Sequence, residues 1–180
     1  ALTDPAGSRN IIIGNVGATA SPVAAPFSWA TPAGSSGIED SLRTALDKAT
    51  SSATADGLAE HRLNYIRGSR TKESNPFRSR SSLMGDVVNS NVVYSGAPVH
   101  GSNKTRTHAV FVGANDGMLH AFVGKVGATD TTKALGDELF AYIPSWIGPK
   151  LSALTNATYV TNHQAFVDGS SDVAEAQVGS

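Results

Sequence analysis

Basic side chains are concentrated in one part of this chain. Residues 62 to 80 contain six of its 14 lysines and arginines, opposed within that stretch only by Glu73. Guanidinium groups pair bidentately with carboxylates and phosphates, so such a cluster could receive an anionic partner. The candidate residues for contact with an anion or a partner protein are Arg70, Lys72, Arg78 and Arg80.

A structural role is the favoured interpretation of the same basic cluster. Its arginines could attach their loop to carboxylates elsewhere in the fold, such as Asp86. Nucleic acid is disfavoured as a partner, because aromatic side chains that could stack on bases are sparse. The net charge of −1 gives no bulk attraction to polyanions or to anionic membranes.

Oxygen-bearing and imidazole side chains offer no convincing metal site. Asn115-Asp116-Gly117 could supply oxygen ligands, but turn formation alone explains these residue types. The segment from Asp168 to Asp172 lacks the spacing of a calcium loop. The five histidines have no ligand spacing, although His108 and His120 could approach each other across a hairpin. We therefore predict no metal site and no cofactor in this chain.

A catalytic centre is also not indicated. The chain has no cysteine, which excludes a thiol nucleophile, a thiolate metal site and a disulfide framework. It has no Gly-x-Ser-x-Gly elbow, phosphate-binding loop or paired carboxylates. We predict that the chain has no catalytic residues and is not an enzyme.

The elements that must carry these residues begin with a hairpin. His108 to Phe122 reads HAVFVGANDGMLHAF, two apolar runs joined at Asn115-Asp116-Gly117, where the residue types suit a tight turn. A third run, Glu138 to Ile143, follows a Gly-Asp pair. With a strand at 85–95, these runs predict most of one four-stranded propeller blade, with strands near 108–113, 117–123 and 138–143.

The first part of the chain has a different periodicity. A short strand is predicted at Asn10 to Ile13. Helices are predicted from Ile38 to Lys48, capped by Ser36, and from Leu58 to Arg67, with Asp56 as N-cap and Gly68 as terminator. We expect a lead-in segment over residues 1–82, with two short helices and the basic loop, and the opening blade or blades of a β-propeller over 83–180. The predicted fold class is mainly β with short helices.

Composition and the chain ends indicate where the protein acts and how much of it this chain represents. Only 16% of residues are charged, and small polar residues recur, which is typical of secreted β-rich proteins. No apolar run approaches the length that spans a bilayer. The chain starts without Met and stops after VAEAQVGS, so we expect a fragment of a larger protein.

Several strings in this order resemble the PilY family of type IV pilus proteins. They are RSRSSLMGDVVNSNVVYSGAP from Arg78 to Pro98, FVGANDGMLHAF, ELFAYIPS, KLSAL and FVDGS, preceded by SRNII, FSW and LNYIRG. The resemblance covers nearly the whole chain. It implies a large secreted protein with an N-terminal von Willebrand A-like region and a C-terminal modified β-propeller, of which this chain is the lead-in and opening part.

The resemblance has limits at two places. The calcium loop that it implies would lie beyond Ser180, outside this chain. The family's Arg-Gly-Asp tripeptide is replaced here by Arg67-Gly68-Ser69, which lacks the carboxylate, so integrin-like adhesion through this site is not expected.

The function that the resemblance implies is that of a non-enzymatic pilus tip-associated adhesin and assembly factor. It would be exported through the bacterial periplasm to the cell surface, where it would serve surface attachment and twitching motility. The implied partners are the rest of its own propeller, pilin or minor pilin subunits, and a host or abiotic surface.

Two alternatives remain open at this stage. VFVGANDGMLHAF also resembles a repeat of propeller dehydrogenases that use pyrroloquinoline quinone. Against that interpretation, the expected tryptophan near Phe140 and aspartate near Val123 are missing, as are the vicinal cysteines. The other alternative is a self-associating extracellular filament subunit, because uncovered strand edges pair with available backbone.

Overall fold

A computed structural model describes residues 9–15, 23–30, 37–98, 104–128, 130 and 132–174. The first half of the chain forms β1 (Ile11–Asn15), β2 (Val23–Pro26), α1 (Asp40–Leu46) and α2 (Ala59–Arg67). The second half forms β3 (Val93–Ser95), β4 (His108–Ala114), β5 (Met118–Lys125), β6 (Glu138–Ile143) and a 3-10 helix (Ser145–Thr155). The fold is mainly β with short helices, as the sequence predicts.

Both predicted helices are present, with different N-terminal boundaries. The prediction that Asp56 is the N-cap of α2 is wrong, because the N-cap is Leu58. Asp56 instead accepts a hydrogen bond from the Leu58 amide, at 3.1 Å, and pairs with Arg62. Gly68 ends the helix at φ 113°, a left-handed conformation that favours glycine. Ser36, the predicted cap of α1, lies outside the described residues.

The strands form one open sheet in the order β2-β1-β6-β5-β4-β3. The four consecutive strands β3 to β6 are antiparallel neighbours, which is the arrangement of a propeller blade. β1 extends this blade by pairing in parallel with β6, with Ile12 opposite Tyr142, and β2 pairs antiparallel with β1. The lead-in and the blade therefore share one sheet.

The predicted strand over 85–95 is wrong in length. Only Val93–Ser95 pairs with β4. The backbone of residues 85–91 is instead hydrogen-bonded to side chains of the hairpin turn and of the segment around Asp168. Side-chain partners thus compete with the ladder hydrogen bonds that a longer strand would need.

Helices cover one face of this sheet. Ile11 and Ile13 of β1 lie beside Ala141 and Ile143 of β6 in register, and all four are buried. The helices contribute further buried apolar side chains to the same cluster: Leu46, Leu63, Ile66, Ile147, Leu151 and Leu154. None of the helices in the described part of the chain is long and apolar enough to cross a membrane.

Candidate functional site

The turn between β4 and β5 is a junction for three parts of the chain. Gly117 has φ 92°, and the Asp116 carboxylate accepts a hydrogen bond from the Met118 amide. Asn115 is buried; its side-chain amide donates to Asp86 at 2.9 Å, and its Oδ1 accepts from the Phe166 amide at 3.0 Å. The turn residues therefore hold segments that precede and follow the hairpin.

Asp116 also begins a chain of buried ionic contacts. Its carboxylate accepts from His120 Nε2 at 3.0 and 3.1 Å, while His120 Nδ1 donates to Glu138 Oε1 at 2.8 Å. Arg9 then donates to both oxygens of Glu138, at 2.6 and 2.7 Å. We call Arg9, Glu138, His120 and Asp116 the ionic chain.

The geometry of the ionic chain sets the charge of His120. Both ring nitrogens face carboxylate oxygens, and each can be satisfied only if it carries a proton. Burial opposes the charged form, but the charges and hydrogen bonds of Asp116 and Glu138 outweigh it and raise the pKa of His120 from 6.5 to about 9. His120 is therefore an imidazolium at neutral pH.

Glu138 is ionised by the same contacts. Burial raises the pKa of this carboxyl, but hydrogen bonds and charge from Arg9 and His120 lower it from 4.5 to about 2. The side chains of Glu138 and Arg9 are only 7% and 5% exposed. Alternating charges along the ionic chain thus compensate each other inside the fold.

A second arginine completes the attachment of the N-terminal segment. Arg67, in the last turn of α2, donates to the carbonyls of Phe27 and Arg9, at 2.6 and 3.1 Å. Arg9 in return donates to the carbonyl of Arg67 at 3.0 Å. The segments that carry β1 and β2 are thereby joined to α2 as well as to β6.

Sequence reasoning missed the ionic chain. The expectation that His108 could approach His120 is wrong, because His120 lies opposite Val112, four residues further along β4. Four residues of strand separate them by about 13 Å. His108 contacts Tyr94 instead. One sequence signal could have identified His120 as buried. It lies two residues after Met118, on the face of β5 that the hairpin register directs to the core.

The basic cluster is mostly engaged in internal contacts. Arg80 donates to Glu73 at 2.8 Å and to the carbonyls of Tyr65 and Ser69, also at 2.8 Å. Arg78 donates to the Leu154 carbonyl at 2.7 Å and lies over the Tyr159 ring. These partners are carbonyls, rings and a nearby glutamate, so the expected attachment of the cluster to Asp86 is wrong.

The remaining two candidates of the cluster are Arg70 and Lys72. Arg70 is 46% exposed, although it pairs with Glu73 at 2.9 Å. Lys72 makes no ion pair with any residue in the described ranges. Asp86, which was expected to receive the cluster, pairs instead with Asn115 and with His163.

A polar seam joins residues 89–91 to the end of the described chain. Asp168 accepts from the Asn89 amide and side chain, at 2.8 and 2.7 Å. Ser170 accepts from the Asn91 amide at 3.0 Å. No group of three or more histidines and carboxylates within the described residues could hold a metal ion.

The antiparallel strands β3 to β6 have the arrangement of a β-propeller blade, and β1 and β2 extend the sheet at the β6 edge. The comparison with protein families agrees: residues 83–179 match the family described as PilY1 beta-propeller domain, and the chain belongs to this family. No solved structure matches the chain.

Curated relatives are named as pilus proteins. The chain is 40% identical over 145 residues to the type IV pilus biogenesis factor PilY1 of Pseudomonas aeruginosa strain PAK, covering 69% of this chain and 12% of that protein. It is 33% identical over 170 residues to PilY1 of P. aeruginosa strain UCBPP-PA14, covering 84% of this chain and 13% of that protein. A PilY1 homolog of Xylella fastidiosa is 36% identical over 141 residues, covering 65% of this chain and 11% of that protein. The match thus spans about an eighth of the length of these relatives.

Proposed function

We propose that this chain is part of a non-enzymatic, pilus-associated cell-surface protein that acts in pilus assembly and in attachment to surfaces. The observation that carries the proposal is the coincidence of the family match over residues 83–179 with the four-stranded blade β3 to β6. Relatives that share this region are named type IV pilus biogenesis factors. The blade would contribute to a platform for binding.

The proposed location and partners of the protein follow from the same role. The protein would be exported through the periplasm and held at the cell surface or the pilus tip, where it would support twitching motility. Its partners would be pilin or minor pilin subunits, the rest of its own propeller, and the surface to which the cell attaches. Residues 1–82 would serve as a lead-in to the propeller, and Arg70 and Lys72 would be the residues of its basic loop that contact an anion or a partner protein.

The buried histidine is suited to a structural role and not to general-base catalysis. A general base must have a nitrogen free to accept a proton. Both nitrogens of His120 donate to carboxylates, and its ring is fully buried. Its pKa of about 9 also keeps it protonated at neutral pH. The ionic chain therefore supports the fold and offers no general base to a substrate.

The proposal can be tested in the bacterium that encodes the chain. An in-frame deletion of residues 83–174 from the chromosomal copy should reduce the pilin that can be sheared from the cell surface, together with twitching and attachment. A strain that carries His61→Gln, a change at an exposed position of α2, is the control and should be unaffected. Normal surface pilin, twitching and attachment in a strain that stably makes the deleted protein would overturn the proposal.

A further inference from the structure

An exposed tryptophan stands between two hollows of the surface. Trp146 is 71% exposed, because its neighbours Ile147 and Leu151 turn the buried side of the 3-10 helix towards the core. One hollow, of about 350 Å³, lies between Trp146 and α1. The other, of about 560 Å³, lies between Trp146 and the segment 165–170. The indole thus borders both depressions.

The larger hollow combines an aromatic surface with oriented hydrogen-bonding groups. Besides Trp146, it is lined by Phe166, Asn89, Asp168 and Ser170. The two hydrogen bonds from Asn89 hold both oxygens of Asp168 in place. Each carboxylate oxygen has about two acceptor sites, so each can still accept a further donor from a ligand. The carboxylate of Asp168 is the one charged group among the described residues that line the hollow.

We propose that this hollow binds a neutral saccharide, with one sugar ring on the face of Trp146 and hydroxyl groups donating to Asp168. The C–H groups on one side of a pyranose carry slight positive charge and complement the negative face of an indole. Adjacent sugar hydroxyls supply the donors that an oriented carboxylate accepts. An aromatic wall with a few fixed polar groups is the usual composition of a small-molecule site.

The charge in the hollow argues against two other ligand classes, anionic ligands and wholly apolar ones. An anionic ligand would meet Asp168 without a cation among the described lining residues to compensate it. An apolar peptide segment would cover the carboxylate without giving it a donor, which costs free energy. The inference deepens the attachment part of the proposed function, on which it rests, by assigning the ligand class.

Fluorescence can test the site because the chain has two tryptophans. In a Trp29→Phe background, Trp146 is the single reporter. That substitution keeps an aromatic ring beneath Arg43, whose guanidinium lies 4.2 Å from the Trp29 ring centroid in the native protein. Maltopentaose, cellopentaose and chitopentaose are titrated separately. At least one should give a saturable change in Trp146 emission, and Asp168→Asn should weaken that binding about tenfold.

Two further variants make the result decisive. Trp146→Ala, measured by calorimetry, should lose most of the affinity and should fold normally because the side chain is exposed. Val160→Ala alters another exposed apolar residue, 76% exposed, and should bind as the parent does. No saturable signal with any of the three sugars up to about 10 mM would overturn the inference. Equal binding by the parent and by Trp146→Ala would also overturn it.

The outcomes separate this inference from the proposed function. Trp146→Ala in the bacterium should leave surface pilin unchanged while it reduces attachment to a surface coated with the sugar that binds. A loss of surface pilin in this strain would contradict a role confined to ligand binding.

Discussion

Raising the pH should destabilise this fold by removing a proton from His120. The pKa of His120 is about 9 in the folded protein and has an ordinary value of 6.5, so the folded state holds this proton more tightly. The stabilisation is complete below the ordinary value and is lost as the pH rises towards the folded value. A difference of one between the folded and unfolded pKa corresponds to about 1.4 kcal/mol of stability.

The expected loss follows from these two values. Between about pH 6 and about pH 9, the free energy of unfolding should fall by about 3 kcal/mol. Deprotonation would leave one ring nitrogen facing a carboxylate without a hydrogen to donate, either at Asp116 or at Glu138. Equilibrium unfolding in urea at a series of pH values measures this change directly.

Matched histidine variants identify the residue responsible. His61→Gln, at an exposed site, should keep the alkaline loss, while His120→Gln should be less stable at the lower pH and should lose the slope. A direct NMR titration of the His120 ring in the native protein covers the case in which His120→Gln does not fold. A flat stability profile, or an NMR pKa close to 6.5, would refute the reasoning.

Three further predictions concern stability. Glu138 has a pKa of about 2 in the folded protein against an ordinary 4.5. Its stabilisation is therefore present above pH 4.5 and should be lost as the pH falls towards about 2. Glu138→Gln should flatten this loss of stability at acid pH, measured by urea unfolding. Gly113→Ala would place a Cβ 2.6 Å from the Val167 carbonyl oxygen and should cost about 1–3 kcal/mol in thermal or urea unfolding. The control Gly169→Ala has nothing within 4 Å, and equal stability of the two variants would contradict the packing. Arg80→Ala should lower the free energy of unfolding by about 1–3 kcal/mol, because it removes the more buried of the two arginine partners of Glu73 and the donor to the Tyr65 and Ser69 carbonyls. Lys72→Ala should change it by less than about 0.5 kcal/mol, and the opposite ranking in calorimetry would contradict the structural role of Arg80.

Local patterns predicted the central elements of this fold. The apolar alternation on either side of Asn115-Asp116-Gly117 identified β4, β5 and their turn, and the helical spacing before Gly68 identified α2. These features depend on neighbours in sequence, where residue type and spacing carry the information. The propeller class then followed from the order of the strands.

The parts that were missed depend on contacts between distant residues. The parallel pairing of β1 with β6 joins residues 130 positions apart and the Arg9–Glu138 contact joins residues 129 apart, and nothing local marks them. β2 was missed because its Pro-rich surroundings suggest a loop. The 3-10 helix contains Pro149, which obscures a helical pattern. Side-chain contacts from distant residues also hold residues 85–91, so these residues do not form the longer strand that the apolar alternation predicted.

The union of lead-in and blade in one sheet is the central structural claim, and a cysteine cross-link tests it most directly. The chain has no cysteine, so Ile12→Cys with Tyr142→Cys would introduce a single pair at positions that face each other across β1 and β6. Under mild oxidation, this variant should form an intramolecular disulfide in the monomer, visible by non-reducing electrophoresis and by peptide mass spectrometry. Ile12→Cys with Val160→Cys, at an exposed position, should not. Equal and slow cross-linking of the two variants would contradict the shared sheet.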